Sequence, residues 1–200
     1  MERAQQRTST AGQTNARVSL ARAAAPRRQG FLRSPAGLAV FALASLGAAA
    51  LGGFITSRRK NKAWYRLLSK PAFTPPDRAF AIVWPVLYSL GALSAWRVAK
   101  TPAGPARSVA LGLWSTQLAF NAAWSPLFFG QHLPRVALAD LVLNYASLSA
   151  YAAYARKVDP KAAYLVTPYL GWLTFAGALN GSIVARNRGG FTGLVARLAG

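Results

Sequence analysis

Apolar residues concentrate in five runs along the 200-residue chain, separated by short polar, basic stretches. The runs cover residues 35–56, 79–99, 108–129, 136–155 and 162–185. Each is about 20 residues, enough at roughly 1.5 Å rise per residue to cross a hydrocarbon core of roughly 30 Å. The alternating ten-residue segments of a spanning β-barrel are absent. Pro102, Gly104, Pro105, Pro134 and Pro160 punctuate the connections as helix breakers do. Because those connections are short, successive helices are antiparallel neighbours. The pattern predicts an all-α membrane protein, a five-transmembrane-helix bundle over residues 35–187.

The stretch between the first two runs is unlike the other connections. It reads WYRLLSKPAFTPP from Trp64 to Pro76. Proline fixes φ, lacks an N–H and pushes the residue before it toward extended backbone. Lys70-Pro71 and Thr74-Pro75-Pro76 therefore predict a stiff, ordered Pro/Trp-rich loop between helices 1 and 2. It is too apolar to stand free in water and is expected to lie over the bundle as a lid.

Helical spacing predicts which faces turn inward. Trp84, Tyr88, Gly91 and Ala95 share one face of the second helix. Trp114, Gln117, Asn121, Trp124 and Phe128 share a face of the third, and Asp140, Asn144, Ser147, Tyr151 and Tyr154 a polar stripe on the fourth. In the fifth, Tyr169, Trp172, Ala176 and Asn180 align, with Leu179 alongside. Polar groups turned to lipid cost several kcal/mol each, so these faces point at one another. Two arrangements satisfy the pattern. In one, the polar groups are interhelical glue at about 0.6 kcal/mol per bond. In the other, the rings line a ligand cavity with a few orienting polar groups. Gly91, Ala95, Ala176 and Gly177 leave room opposite the rings and favour the cavity.

Charge refines the picture. Lys and Arg total 24 against four acids, a net charge of +20. The bases flank apolar runs, where anionic headgroups lie, and no nucleic-acid motif accompanies them, so no nucleic-acid partner is expected. With the N-terminus inside, the two sides carry 13 and 11 bases, so charge does not orient the bundle. Residues 1–34 hold seven arginines and one acid, a composition matching an organelle transit peptide or a disordered basic extension. Residues 188–200 form a basic tail. Zero cysteines and one histidine exclude thiolate and multi-histidine metal sites. His132, in the loop after the third run, is expected to be a solvated loop residue. No nucleophile–base–acid constellation is present. Gly177-xxx-Gly181 and Ala49-xxx-Gly53 are candidate helix-contact seams, inside the bundle or in a homodimer.

The ordered motifs carry a resemblance. W-Y-x-x-L-x-K-P-x-F-T-P-P, then F-x-x-V-W-P-x-L-Y, QLAFNAAWSPLFFG and PYLGWLTFAGALN resemble the TspO/translocator protein family, the tryptophan-rich sensory proteins, over residues 36–187. The resemblance implies a pocket beneath the first loop for porphyrins or haem, for cholesterol in animal forms, and for benzodiazepine-type or isoquinoline drugs. Matching positions imply a ligand site at Tyr65, Pro75, Trp84, Tyr88, Asn121, Trp124, Trp172, Ala176 and Leu179. Gln117, Asp140, Asn144 and Asn180 are further buried polar groups. Trp84 matches the position tied in bacterial relatives to light- and oxygen-dependent porphyrin breakdown, and is the candidate catalytic residue. No cofactor is required, and porphyrin or haem enters as ligand. The chain departs from the family in two places. Gly181 replaces the tyrosine of the animal sterol motif after Leu179-Asn180, which weakens a cholesterol reading. Phe73 stands where many relatives have Trp, keeping the ring without its N–H. The implied function is a membrane-embedded tetrapyrrole-binding protein. Alternatives are a porphyrin or sterol transporter and a light-dependent porphyrin-degrading enzyme. With the N-terminal extension, the expected location is the mitochondrial outer membrane ahead of plastid or ER.

Overall fold

The computed structural model describes residues 30–187. The targeting expectation, up to residue 29, and the basic tail 188–200 lie outside the described residues. Among those, every regular element is helical. The order is α1 Pro35–Ser57, α2 Arg59–Leu67, α3 Asp77–Ala99, α4 Pro105–Ser125, α5 Pro134–Val158, α6 Pro160–Leu165 and α7 Thr167–Arg186. Proline opens α1, α4, α5 and α6, where a missing N–H costs nothing and φ is already helical. Ser34 caps α1 through Gly37 N–H, and Asp159 caps α6 through Lys161 N–H at 3.0 Å.

Four stretches are long and apolar enough to cross a membrane: Pro35–Ser57, Asp77–Ala99, Pro134–Val158 and Pro160–Arg186. The chain is a multi-pass membrane protein. The helix α4, at 21 residues, is long enough but less apolar, because it carries Gln117 and Asn121 on its buried face. Two expectations need correction. Residues 64–67 of the expected loop belong to a helix, α2, on which Trp64 is fully buried. Residues 68–76 alone are non-helical. The fifth apolar run is broken at Val166, between α6 and α7, just ahead of Pro168.

Neighbour relations run in a ring. The helix α1 packs on α3 and α4, α4 on α5, and α5 on α7, and α3 closes the ring on α6, whereas the backbones of α3 and α7 barely meet. Gly177 and Gly181 face Leu141 and Leu138 of α5, so that seam lies inside the bundle, while Gly53 is outward. One end of the bundle joins the start of α1 to the end of α3, through Arg33 Nε to Lys100 O at 3.4 Å. There Arg97 pairs with Asp159 at 2.8 Å, and Ser94 Oγ lies 2.6 Å from Tyr151 Oη and donates to Ala162 O at 2.7 Å. The other end carries α2, the 68–76 loop and the end of α7. Asn187 Nδ2 donates to Ser69 O at 2.9 Å while its Oδ1 accepts from Ser69 N–H at 3.0 Å. This two-point clasp ties the loop to α7.

Candidate functional site

Where the α3 and α7 backbones stand apart, aromatic rings close the space between them. Trp84, a third of the way along α3, lies 5.6 Å from Tyr88, 6.1 Å from Tyr169 and 6.2 Å from Trp172, centroid to centroid. Phe80, one turn before Trp84, meets Trp172 edge-on at 5.6 Å. Trp172 in turn meets Phe175 at 5.3 Å, and Phe73 of the loop reaches Phe175 at 6.2 Å. Most of these contacts are edge-to-face, the geometry the ring quadrupole favours. Tyr88 Oη donates to Asn121 Oδ1 at 2.7 Å, tying α3 to α4. The i, i+4 spacing of Phe80, Trp84 and Tyr88 sets all three on one face. On that same face Gly91 is buried, yet a methyl group placed there would meet no atom beyond its own stretch of helix within 4 Å. Open space therefore adjoins the ring cluster inside the bundle.

A second ring cluster forms the roof. Trp64 meets Phe128 at 5.6 Å, Tyr65 meets Phe129 at 5.4 Å, and Trp124 stacks on Phe128 at 5.0 Å. Residues Pro126–Gly130 continue α4 as a π-helical turn. There the consecutive Phe128 and Phe129 both lie within reach of Tyr65 and Trp124. Lys70 fastens the roof from above. Its ammonium lies 4.8 Å over the Tyr65 ring and donates to Tyr65 O at 2.9 Å and Leu68 O at 3.2 Å. Burial, and secondly the Asp77 carboxylate, hold the Tyr65 hydroxyl above its ordinary pKa, so it stays a donor. Burial lowers the Lys70 pKa, with Asp77 opposing.

The expected site residues thus fall into two groups. Trp84, Tyr88, Asn121 and Trp172 are joined on the α3–α7 side. Tyr65 and Trp124 join through Phe128 and Phe129, with Leu179 buried in the same cluster. Pro75, in the 68–76 loop, and Ala176, on α7, are half-buried. Among the other polar groups, Asn180 is glue, donating to Pro134 O at 2.8 Å. Gln117 and Asp140 are buried and leave Oε1 and Oδ2 without partners, Asn121 Nδ2 and Trp172 Nε1 are likewise unpartnered, and the buried Asn144 on α5 faces the Tyr169 hydroxyl on α7. The interior thus holds both glue and polar atoms without partners.

Sequence reasoning passed over Phe80, Phe129 and the Ser69–Asn187 clasp. The i, i+4 step to Trp84 was the available signal for Phe80. His132 is also unlike the expectation. It stacks on the buried Trp64 at 4.4 Å and has φ 58°, in the left-handed region. Burial, then the charge of Lys60, holds its imidazole below the ordinary pKa. A separate apolar groove of about 460 Å³ lies between α1 and α4, beside Gly47, Ala48, Trp114 and Ala119.

The TspO/MBR family pattern matches residues 39–186. The pig (Sus scrofa) "Translocator protein" is 42% identical over 144 residues, covering 70% of this chain and 85% of its own length. "Protein CrtK" of Rhodobacter capsulatus is 38% identical over 128 residues, 64% of this chain and 80% of its own. The "Tryptophan-rich sensory protein" of Cereibacter sphaeroides is 37% identical over 138 residues, 69% of this chain and 84% of its own.

Proposed function

The chain belongs to the TspO/MBR family, and from that premise we propose that it is a five-crossing membrane protein binding flat tetrapyrroles of the porphyrin and haem type between α3 and α7. The observation carrying this is the cluster of Trp84, Tyr88, Tyr169 and Trp172 beside the open space at Gly91. Indole and phenol rings supply faces and edges for a planar guest. The buried, unpartnered Trp172 Nε1 and Asn121 Nδ2 supply orienting hydrogen bonds, so the residues present fit the guest. The roof of Tyr65, Trp124, Pro75 and Leu179 closes the chamber on the loop side, with Ala176 giving clearance on α7.

The fifth crossing is α4, whose two amides turn inward rather than to lipid. Cysteines placed at Ser34, Thr101 and Lys157 in this cysteine-free protein then label from one side, and those at Lys62, Gln131 and Arg186 from the other. Labelling of Gln131→Cys and Thr101→Cys from one side removes α4 as a crossing. Residues 1–34 are proposed to direct the protein to an organelle membrane, mitochondrial outer membrane first. A chain lacking them then loses that address and keeps its ligand binding.

Binding is tested by titrating purified protein with protoporphyrin and following tryptophan quenching in the dark. Saturable quenching is expected, and its absence sinks the proposal. A second function, light-driven porphyrin breakdown, is favoured by one observation. Trp84 sits in ring contact with three further oxidisable side chains, Tyr88, Tyr169 and Trp172. Loss of the Soret band on illumination, and not in the dark, distinguishes that function from binding alone.

A further inference from the structure

The helix α2 has two faces with different business. Its inner face buries Asn61 and Trp64, followed by Leu68, and Asn61 Nδ2 donates to Ile55 O at 2.7 Å. Its outer face presents Arg59, Lys60, Lys62 and Arg66, all exposed and none in an ion pair or side-chain hydrogen bond among the described residues. No acid lies on the helix, and the acids within the described residues lie elsewhere. Asp159 pairs with Arg97 at the far end, Asp140 is buried in α5, and Asp77, at the start of α3, makes no ion pair with a base of α2 among the described residues. So four bases within eight residues stand uncompensated.

Position decides what compensates them. A single residue, Arg58, joins α2 to the end of the α1 crossing. The guanidinium of Arg58 lies 4.8 Å over the Phe54 ring, its stem running back along apolar surface, as a base does at the hydrocarbon boundary. A nine-residue helix tethered there starts at the headgroup layer, and burial of Asn61 and Trp64 against the bundle holds it down along that boundary. An amphipathic helix with a basic outer face at that depth matches phosphate groups of the surrounding leaflet.

We propose that the outer face of α2 is a docking surface for anionic phospholipid headgroups, and that lipid held there keeps the roof of the chamber seated. The link to the roof is direct, because the same nine residues carry Trp64 and Tyr65, which hold Phe128 and Phe129 at 5.6 and 5.4 Å. The second half of the proposal rests on the chamber being the porphyrin site, and the first half does not.

The test uses the full chain in nanodiscs of phosphatidylcholine alone, or with roughly a third phosphatidylglycerol. Amide hydrogen exchange over residues 59–76 is read without ligand, and the porphyrin dissociation rate is read afterwards. Exchange is expected to slow by roughly tenfold or more in the anionic discs, since each base near such a surface contributes appreciably. The combined Arg59→Gln, Lys60→Gln, Lys62→Gln and Arg66→Gln variant should lose that response. A variant with Arg156→Gln, Lys157→Gln and Lys161→Gln at the far end should keep it. Equal exchange in both discs overturns the docking surface, as does a response that survives the α2 substitutions. So does the same protection from inorganic phosphate in zwitterionic discs. Protection without any porphyrin binding supports the docking surface and sinks the chamber reading. Protection with an unchanged porphyrin dissociation rate overturns the seating of the roof.

Discussion

Gly91→Leu separates space from packing at the ring cluster. The glycine is buried on the Trp84–Tyr88 face, and a β-carbon there meets nothing beyond its own stretch of helix within 4 Å. If that space is open, the fold accepts the side chain. Replacing glycine inside a helix then contributes up to about 1 kcal/mol through backbone entropy alone. A guest using the same space is opposed. Overfilling a fitted site costs about 1–3 kcal/mol, which is roughly 5- to 150-fold in Kd. Gly91→Ala should fall between the two. Thermal melting in nanodiscs and tryptophan-quenching titration with protoporphyrin read the two effects separately. The expected pattern is unchanged or raised melting with weakened binding. A marked drop in melting would show that side chains already fill the space. Unchanged affinity with intact melting would place the guest elsewhere.

Trp84→Phe should keep most of the porphyrin affinity, because a phenyl ring still stacks, while light-driven loss of the Soret band falls sharply. Equal photochemistry in the two proteins refutes an electron-donor role. Asn187→Leu removes the two-point clasp on Ser69, about 1–2 kcal/mol of hydrogen bonding. Exchange at residues 69–76 should rise roughly 5- to 30-fold with little change in melting, and unaltered exchange would show that the clasp does not hold the loop. Burial works against the Asp159 carboxylate, but its bonds to Arg97 and the α6 backbone outweigh this and lower its pKa. A carboxyl depressed in the folded state stabilises it above the ordinary carboxyl range and loses that effect as pH falls through the folded pKa. Melting should therefore fall as pH drops from about 5 to about 3, and the fall should flatten in Arg97→Leu.

Much of this was legible because membrane helices repeat one simple rule, and the faces bearing Trp84, Tyr88, Asn121 and Trp172 followed from spacing alone. The misses have physical causes. The helix α2 was hidden by its bases, although Asn61, Trp64 and Leu68 keep helical spacing. Contacts between segments far apart in sequence, such as Ser69 with Asn187 and Trp64 with His132, leave no local pattern to read.

The gap between α3 and α7, spanned by rings instead of backbone packing, sets the reference phase for anything that enters it. If a guest binds there, in a chamber walled by helices that lie in the bilayer, hydrocarbon is a source of it alongside water. Lipid tails are as apolar as the chamber wall, so moving a flat lipophile from bilayer to chamber gains little from leaving water. What remains to discriminate among guests is ring shape and the few unpartnered polar atoms. An affinity measured from the aqueous side then combines two equilibria, partition into the bilayer and selection by the chamber. Only the second is a property of this sequence.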